Sequence, residues 1–213
     1  LQHLADRSVS DLRYAKCMLL RVKHFLTDGI LDFNDDSTGA HEITCEIRTT
    51  VPNPAVRHQR RNVSPDDRRE IEKQTEEKFQ QGIIEESDSP WSSNVVVIRK
   101  NGKARVALDL RQLNAFTIPD AYPMLRVQDL TDCLAGAMFF TAMDAAQAFH
   151  LIPMHNLRAK NLTSFATPGG GLYRYKRMPF GLRNAMAVWS RLIDRALRGA
   201  QWVTALAYAD DVL

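Results

Sequence analysis

The sequence has only three cysteines, Cys17, Cys45 and Cys133, far apart and without a Cys-x-x-Cys pair. An odd, sparse count argues against a disulfide framework or a cysteine zinc site and fits a reducing compartment. No apolar run approaches the roughly 20 residues that span a bilayer, so no membrane partner is expected. The opening Leu1-Gln2-His3-Leu4-Ala5-Asp6 lacks the basic-then-apolar pattern of a signal peptide. It also lacks an initiator Met, so the chain is expected to be cut from something longer. The six histidines are scattered, and none is expected to bind a metal. Internal repeats and long low-complexity segments are absent. Net charge is small, +3, which is compatible with a polyanionic partner without requiring one.

What is present is an ordinary folded composition: 213 residues, 45% hydrophobic and 25% charged, enough for one or two domains with a core. Residues 1–63 read as an N-terminal connector with one helix, partly irregular. A helical apolar period over 10–31 sets Leu12, Ala15, Leu19, Val22 and Leu26 on one face. A short strand is expected at Glu42–Arg48, and Arg57, Arg60 and Arg61 form a basic cluster that fits either a solvated connector or a nucleic-acid contact.

Residues 64–213 are better organised. Ser64-Pro65-Asp66-Asp67 predicts a helix start, with Gly82 as the stop after Gln81. Val95–Ile98 and Ala104–Leu110 flank Asn101-Gly102, the strongest short hairpin signal. A short helix is expected at Val127–Leu134, a strand at Met138–Met143 and a short helix at Ala145–His150. Ser164–Thr167 and Leu172–Arg177 predict a second hairpin across Pro168-Gly169-Gly170-Gly171. Asn184 is expected to cap an amphipathic helix carrying Val188, Trp189, Leu192 and Ile193. Thr204–Tyr208 reads as a strand turning at Ala209-Asp210-Asp211. Strands and helices without strict alternation predict an α+β fold.

The chemistry centres on Asp210 and Asp211. Turns between strands favour Asn-Gly or Asp-Gly rather than Asp-Asp. Adjacent carboxylates repel unless a cation lies between them, and Mg²⁺ prefers such oxygen ligands. Asp144, at the end of an apolar strand, is the third candidate. It could equally serve as the N-cap of the helix it precedes.

These residues belong to an ordered series: Gly82-Ile83-Ile84-Glu85-Glu86-Ser87, Ser89-Pro90-Trp91-Ser92-Ser93, the hairpin with Lys100, Gly102 and Arg105, and Asp109-Leu110-Arg111-Gln112-Leu113-Asn114. Tyr122-Pro123, Phe140-Thr141-Ala142-Met143-Asp144, Ser164-Phe165-Ala166-Thr167, Met178–Ala185 and Tyr208-Ala209-Asp210-Asp211 complete it. The series resembles the reverse transcriptase of a gypsy-like long-terminal-repeat retrotransposon, across about 64–213 and only faintly before that. The resemblance implies right-hand polymerase fingers and a partial palm, an antiparallel sheet packed on helices.

It further implies RNA-directed DNA synthesis, with Asp144, Asp210 and Asp211 holding two Mg²⁺ ions, for which Mn²⁺ could substitute. Lys100 and Arg105 resemble the fingers residues that meet the incoming dNTP phosphates, and Arg99 could take the place of Lys100. Ala148 and Phe149 fall at the nucleotide pocket, where Phe149 matches a steric gate against a ribose 2′-hydroxyl. Without the family, Phe149 reads equally well as a core aromatic. Phe180 and Gly181 match the segment that packs on the nucleotide, and Tyr208 and Ala209 the primer contact. Asp109 and Arg111 read as a structural ion pair.

Implied partners are an RNA or DNA template with its primer, dNTP, and protease, ribonuclease H and integrase domains of a polyprotein. The implied setting is intracellular, in a cytoplasmic virus-like particle or the nucleus. Ala209, Met186 and the run Ala145-Ala146-Gln147-Ala148 depart from the family pattern. They leave open a decayed or domesticated, non-catalytic nucleic-acid-binding module, and a related palm polymerase is a third reading. Val212-Leu213 is too short to complete a return strand. The chain on its own is therefore expected to give little or no Mg²⁺-dependent synthesis in a primer-extension assay.

Overall fold

The Ser-Pro-Asp-Asp start does what its residue types favour. Helix α1 spans Pro65–Gln80, and the Ser64 hydroxyl accepts the Asp67 backbone N–H at 3.1 Å. Proline occupies the first turn, where its missing N–H costs nothing. Gly82, at φ +68°, turns the chain out of the helix into strand β1, Ile84–Glu86. The computed structural model describes residues 43–52, 62–123, 126–134, 143–144, 147–197, 206–208 and 211–212. The expected helix over 10–31, the Arg57, Arg60 and Arg61 cluster, and residues 138–142 of the expected strand lie outside them.

Strands β2 (Asn94–Lys100) and β3 (Lys103–Asp109) form an antiparallel hairpin. Both turn residues have positive φ, Asn101 at 52° and Gly102 at 73°, the geometry that matches strand twist in a two-residue turn. Helix α2 (Arg111–Phe116) follows after Leu110 alone. The sequence reading did not anticipate α2, whose six residues are too few to show a helical period. Next come α3 (Val127–Cys133), β4 (Met143–Asp144) and a 3₁₀ turn at Ala148–Leu151.

That turn corrects the expected helix at Ala145–His150. Gln147 sits at φ 53°, in the left-handed region, so a right-handed helical run cannot pass through it. Helix α4 (Leu157–Leu162) was also not anticipated. Asn156 caps it by accepting the Ala159 N–H at 2.8 Å.

Strands β5 (Phe165–Ala166) and β6 (Leu172–Tyr175) make the second expected hairpin, and β1 pairs with the other edge of β6. The amphipathic helix α5 spans Ala185–Ala196, and β7 (Ala207–Tyr208) and β8 (Asp211–Val212) end the described chain. Three small antiparallel sheets result, in the orders β1-β6-β5, β2-β3 and β4-β8-β7. The fold is thus α+β, as the mixed pattern predicts.

The main core gathers Trp91, Leu113, Phe149, Ile152, Met178 and Trp189 from five separate segments. Cys45 and Ile47 join it from the N-terminal side. Their segment forms no strand, contrary to the expected Glu42–Arg48. It makes isolated bridges, Cys45 with Met154 and Thr49 with Thr117, because it crosses between neighbours instead of running along one edge. Burial pushes the Cys45 thiol up to about 12, which leaves it protonated and unreactive. Arg158 holds the same segment, donating to the Ile47 and Pro52 carbonyls and the Thr49 hydroxyl. Among the described residues, no helix is long and apolar enough to cross a membrane.

Helix α1 buries only Ile71 and Thr75, so its ends matter more than its packing. Ser64→Ala is expected to lower stability by about 1 kcal/mol, and Ser64→Asp to retain most of it. Urea denaturation midpoints of the two variants check this.

Candidate active site

The sheet β4-β8-β7 brings together segments that are far apart in sequence. In its register, Asp144 lies directly opposite Asp211, and Asp211 opposite Tyr208. Directly opposed residues of antiparallel strands have Cα atoms about 4.5–5.5 Å apart. Tyr208 pairs with Asp211, and Ala209 and Asp210, between them in sequence, lie outside the described residues. Asp144 stands in strand pairing, and Gln147 occupies the N-cap position of the 3₁₀ turn. Ala207 belongs to the main core with Trp189, which anchors β7, while Tyr208 is 42% exposed.

Carboxylate oxygens are the donors that hard divalent cations take. Two of the three candidate carboxylate residues occupy facing register positions, and the third adjoins one of them in sequence. This donor set fits Mg²⁺.

The hairpin separates the three candidate phosphate residues. Arg105 pairs in register with Ile98, and Lys100 with Lys103. Side chains alternate along a strand, so Ile98, Lys100, Lys103 and Arg105 share one face. That face is open, with Ile98 54% exposed. Arg99 falls on the other face and donates to the Asp67 carboxylate of α1. Arg99 thereby holds the Asp67 carboxyl below the usual carboxylate range.

The back face of the hairpin is held by Gln74 of α1. Its amide donates to the Ala104 carbonyl at 2.9 Å and accepts the Val106 N–H at 3.0 Å. This satisfies two backbone groups on the outer edge of β3.

Met178 and Pro179 are fully buried, and the chain leaves the core at Phe180, 48% exposed. The Phe180 ring lies 4.9 Å from that of Phe149, which meets Trp189 edge-on at 6.4 Å. Phe149 and Ala148 are only 7% and 1% exposed, so both are core residues and Phe180 is the ring that meets solvent. Gly181 follows at φ +91°, a conformation that excludes other side chains without strain. Asp109 and Arg111 form the expected ion pair, two-pronged at 2.7 Å for each contact.

Further polar links escaped the sequence reading. Asn114 donates to the Gly181 carbonyl and accepts the Arg183 N–H, both at 2.8 Å. Asn184 occupies the N-cap position of α5, but its side chain does not cap that helix. It donates to the Ile118 carbonyl at 2.8 Å and accepts the Asp120 N–H at 3.0 Å. Arg191 grips Asp120 through both guanidinium ends and stacks 4.6 Å over Tyr122, whose hydroxyl donates to Asp194. The signal for Asn114 was its residue type, because asparagine inside a helix forgoes helix propensity.

A family model described as "Reverse transcriptase (RNA-dependent DNA polymerase)" matches residues 98–213. The chain is 39% identical over 150 residues to the retrovirus-related Pol polyprotein from transposon 297 of Drosophila melanogaster, covering 68% of this chain and 14% of that protein. It is 35% identical over 150 residues to the Pol polyprotein from transposon gypsy of the same species, covering 67% and 14%. The chain thus spans a small part of these relatives. In fold it matches a foamy viral protease-reverse transcriptase solved in complex with ds DNA. The TM-score is 0.64 at 19% identity, over 79% of this chain and 29% of that one.

His150 gives the site a pH signature. Burial pushes its imidazole down to about 4 from 6.5, the nearby Lys78 charge adds to this, and the Met178 carbonyl opposes it. The unfolded chain takes up this proton near 6.5 and the folded chain only near 4. The His150 contribution is therefore fully present above 6.5 and is lost as pH falls toward 4. The loss should approach about 3 kcal/mol. Asp120, held low chiefly by Arg191, loses its contribution only below its ordinary 3.8. Stability measured between pH 4 and 6.5 should slope downward with acid, and His150→Gln should flatten that slope.

Proposed function

Since the chain belongs to the reverse transcriptase family, we propose that it supplies the fingers and the metal-binding part of the palm of an RNA-directed DNA polymerase. Residues 64–213 would form this unit and residues 1–63 a connector to it. The observation that carries the reading is the register of Asp144 against Asp211, to which Asp210 is the neighbour in sequence. The donor set suits two Mg²⁺ ions, held by Asp144, Asp210 and Asp211. When bound, such a pair lowers the pKa of a primer 3′-hydroxyl and neutralises the triphosphate as pyrophosphate leaves.

The chain's own residues do the rest. Lys100 and Arg105 offer positive charge from the open face of the hairpin to the dNTP phosphates. Arg presents a fork and Lys a point charge. Arg99 is already engaged by Asp67, which favours Lys100 for this task. Phe180 and Gly181 provide a surface for the nucleotide, and the buried Phe149, with Ala148 beside it, sets how deep that surface lies. If Phe149 gates the sugar, it does so as a floor beneath Phe180. Tyr208, exposed and paired with Asp211, and Ala209, next to it in sequence, would meet the primer end.

The partners under this reading are template, primer and dNTP. The foamy viral relative in complex with ds DNA supports a nucleic-acid partner. As part of a retrotransposon polyprotein, the unit would work inside the cell, in a virus-like particle or the nucleus, beside protease, ribonuclease H and integrase domains.

Asp210→Asn in the full-length polyprotein is the test. Primer extension should fall by at least about a hundredfold, with template–primer affinity unchanged. Synthesis at the original rate would remove Asp210 from the metal set. Template binding without synthesis by the unsubstituted protein would favour a non-catalytic nucleic-acid-binding module.

A further inference from the structure

We propose that Asn114 is a positioning residue for the incoming nucleotide, its side-chain amide fixing the Phe180–Arg183 turn against helix α2, which follows the fingers hairpin. This rests on the polymerase reading above. Both ends of the amide are used, on backbone groups of that one turn: Gly181 O and Arg183 N, each at 2.8 Å. Arg183 reciprocates, its guanidinium donating to the Asn114 and Thr117 carbonyls at 3.3 Å.

The turn needs such a clamp. Gly181 has φ +91°, and a Cβ built there would meet Leu110 only at 3.9 Å. Crowding therefore does not select its conformation, and glycine alone is permissive. Phe180 before it is half exposed and is held mainly through its ring contacts with Phe149 and His150. The Asn114 bracket is what chooses one shape for Gly181.

The position of Asn114 is itself tied to the phosphate-facing strand. Strand β3 carries Arg105 and passes through Leu110 alone into α2. The Asp109–Arg111 pair spans that junction, and the fully buried Leu113 anchors the helix beside Asn114. One short stretch thus bears Arg105 at one end and the clamp at the other. It sets the distance between the phosphate side and the sugar–base side of the nucleotide site. Asn114 itself is half-buried at the surface, so its loss leaves the core untouched.

A turn in its competent shape only part of the time weakens apparent affinity by that fraction. The test uses the full-length enzyme with Asn114→Ala, Asn114→Asp and Asn114→Gln. Dissociation constants for dNTP are measured on a chain-terminated primer–template, alongside KM, kcat and thermal midpoint. Asn114→Ala should raise dNTP Kd and KM about tenfold, with kcat and template–primer affinity little changed and the midpoint lowered by only about a few degrees. Asn114→Asp keeps the acceptor for Arg183 but sets a carboxylate against the Gly181 carbonyl, so it should be at least as impaired. Asn114→Gln, with the amide restored on a longer stem, should fall between Ala and the unsubstituted enzyme.

Unchanged dNTP Kd and KM in an active enzyme overturn the inference, as does a drop in midpoint with nucleotide affinity intact. If Asn114→Ala fails to fold, the Asp and Gln variants decide by the same measure. An unsubstituted enzyme that neither synthesises DNA nor binds dNTP overturns the polymerase reading, and this inference with it.

Discussion

A backbone carbonyl and an N–H that leave a strand or helix must still find partners, and here side-chain amides supply them. Gln74, Asn114 and Asn184 each bracket a carbonyl and the N–H two residues on, in Ala104–Val106, Gly181–Arg183 and Ile118–Asp120 respectively. Among the described residues the three sheets share no strand, and a single bridge, Ser93 with Phe165, links the β2 segment to β5. Hydrogen bonds from amides to backbone hold the pieces in fixed relation where they flank the core. Each replaces an unsatisfied pair that would cost about 1–3 kcal/mol per group if buried.

The core beneath does the coarser work. Trp91, Leu113, Phe149, Met178 and Trp189 come from segments distant in sequence and meet in one cluster. Their burial fixes which elements are neighbours but, being non-directional, cannot set fine register. The candidate site lies where the two kinds of constraint meet. Ala207 is anchored in the core, while Asp211 and Asp144 take their places by strand pairing. Phe180 sits at the boundary, its ring against buried Phe149 and its neighbour Gly181 held by Asn114.

Charge is distributed in the same economical way. Arg99, Arg111, Arg174 and Arg191 all face carboxylates, so their charge is committed to structure. Strand alternation leaves Lys100 and Arg105 on the open face of the hairpin. A small net positive charge thus becomes local positive charge where a triphosphate would need it.

The local signals were legible in the sequence. Ser64-Pro65, Asn101-Gly102 and the apolar stripe over Val188–Ile193 each predict an element that forms, because capping, φ > 0 turns and helical periodicity act within a few residues. The ordered motifs identified the family and pointed to the candidate carboxylates. Short elements were less legible: α2 and α4 have six residues each, and the left-handed Gln147 interrupts an apolar run that reads as helix. That Arg99 is engaged by Asp67 of α1, and that Asn184 braces Asp120 rather than capping its own helix, were decided by the tertiary structure. Asn114 gripping a turn almost seventy residues away belongs with them. The reason is physical: a cap or a turn depends on neighbours in sequence, whereas the partner of a long polar side chain depends on which distant backbone the core has brought within about 3 Å.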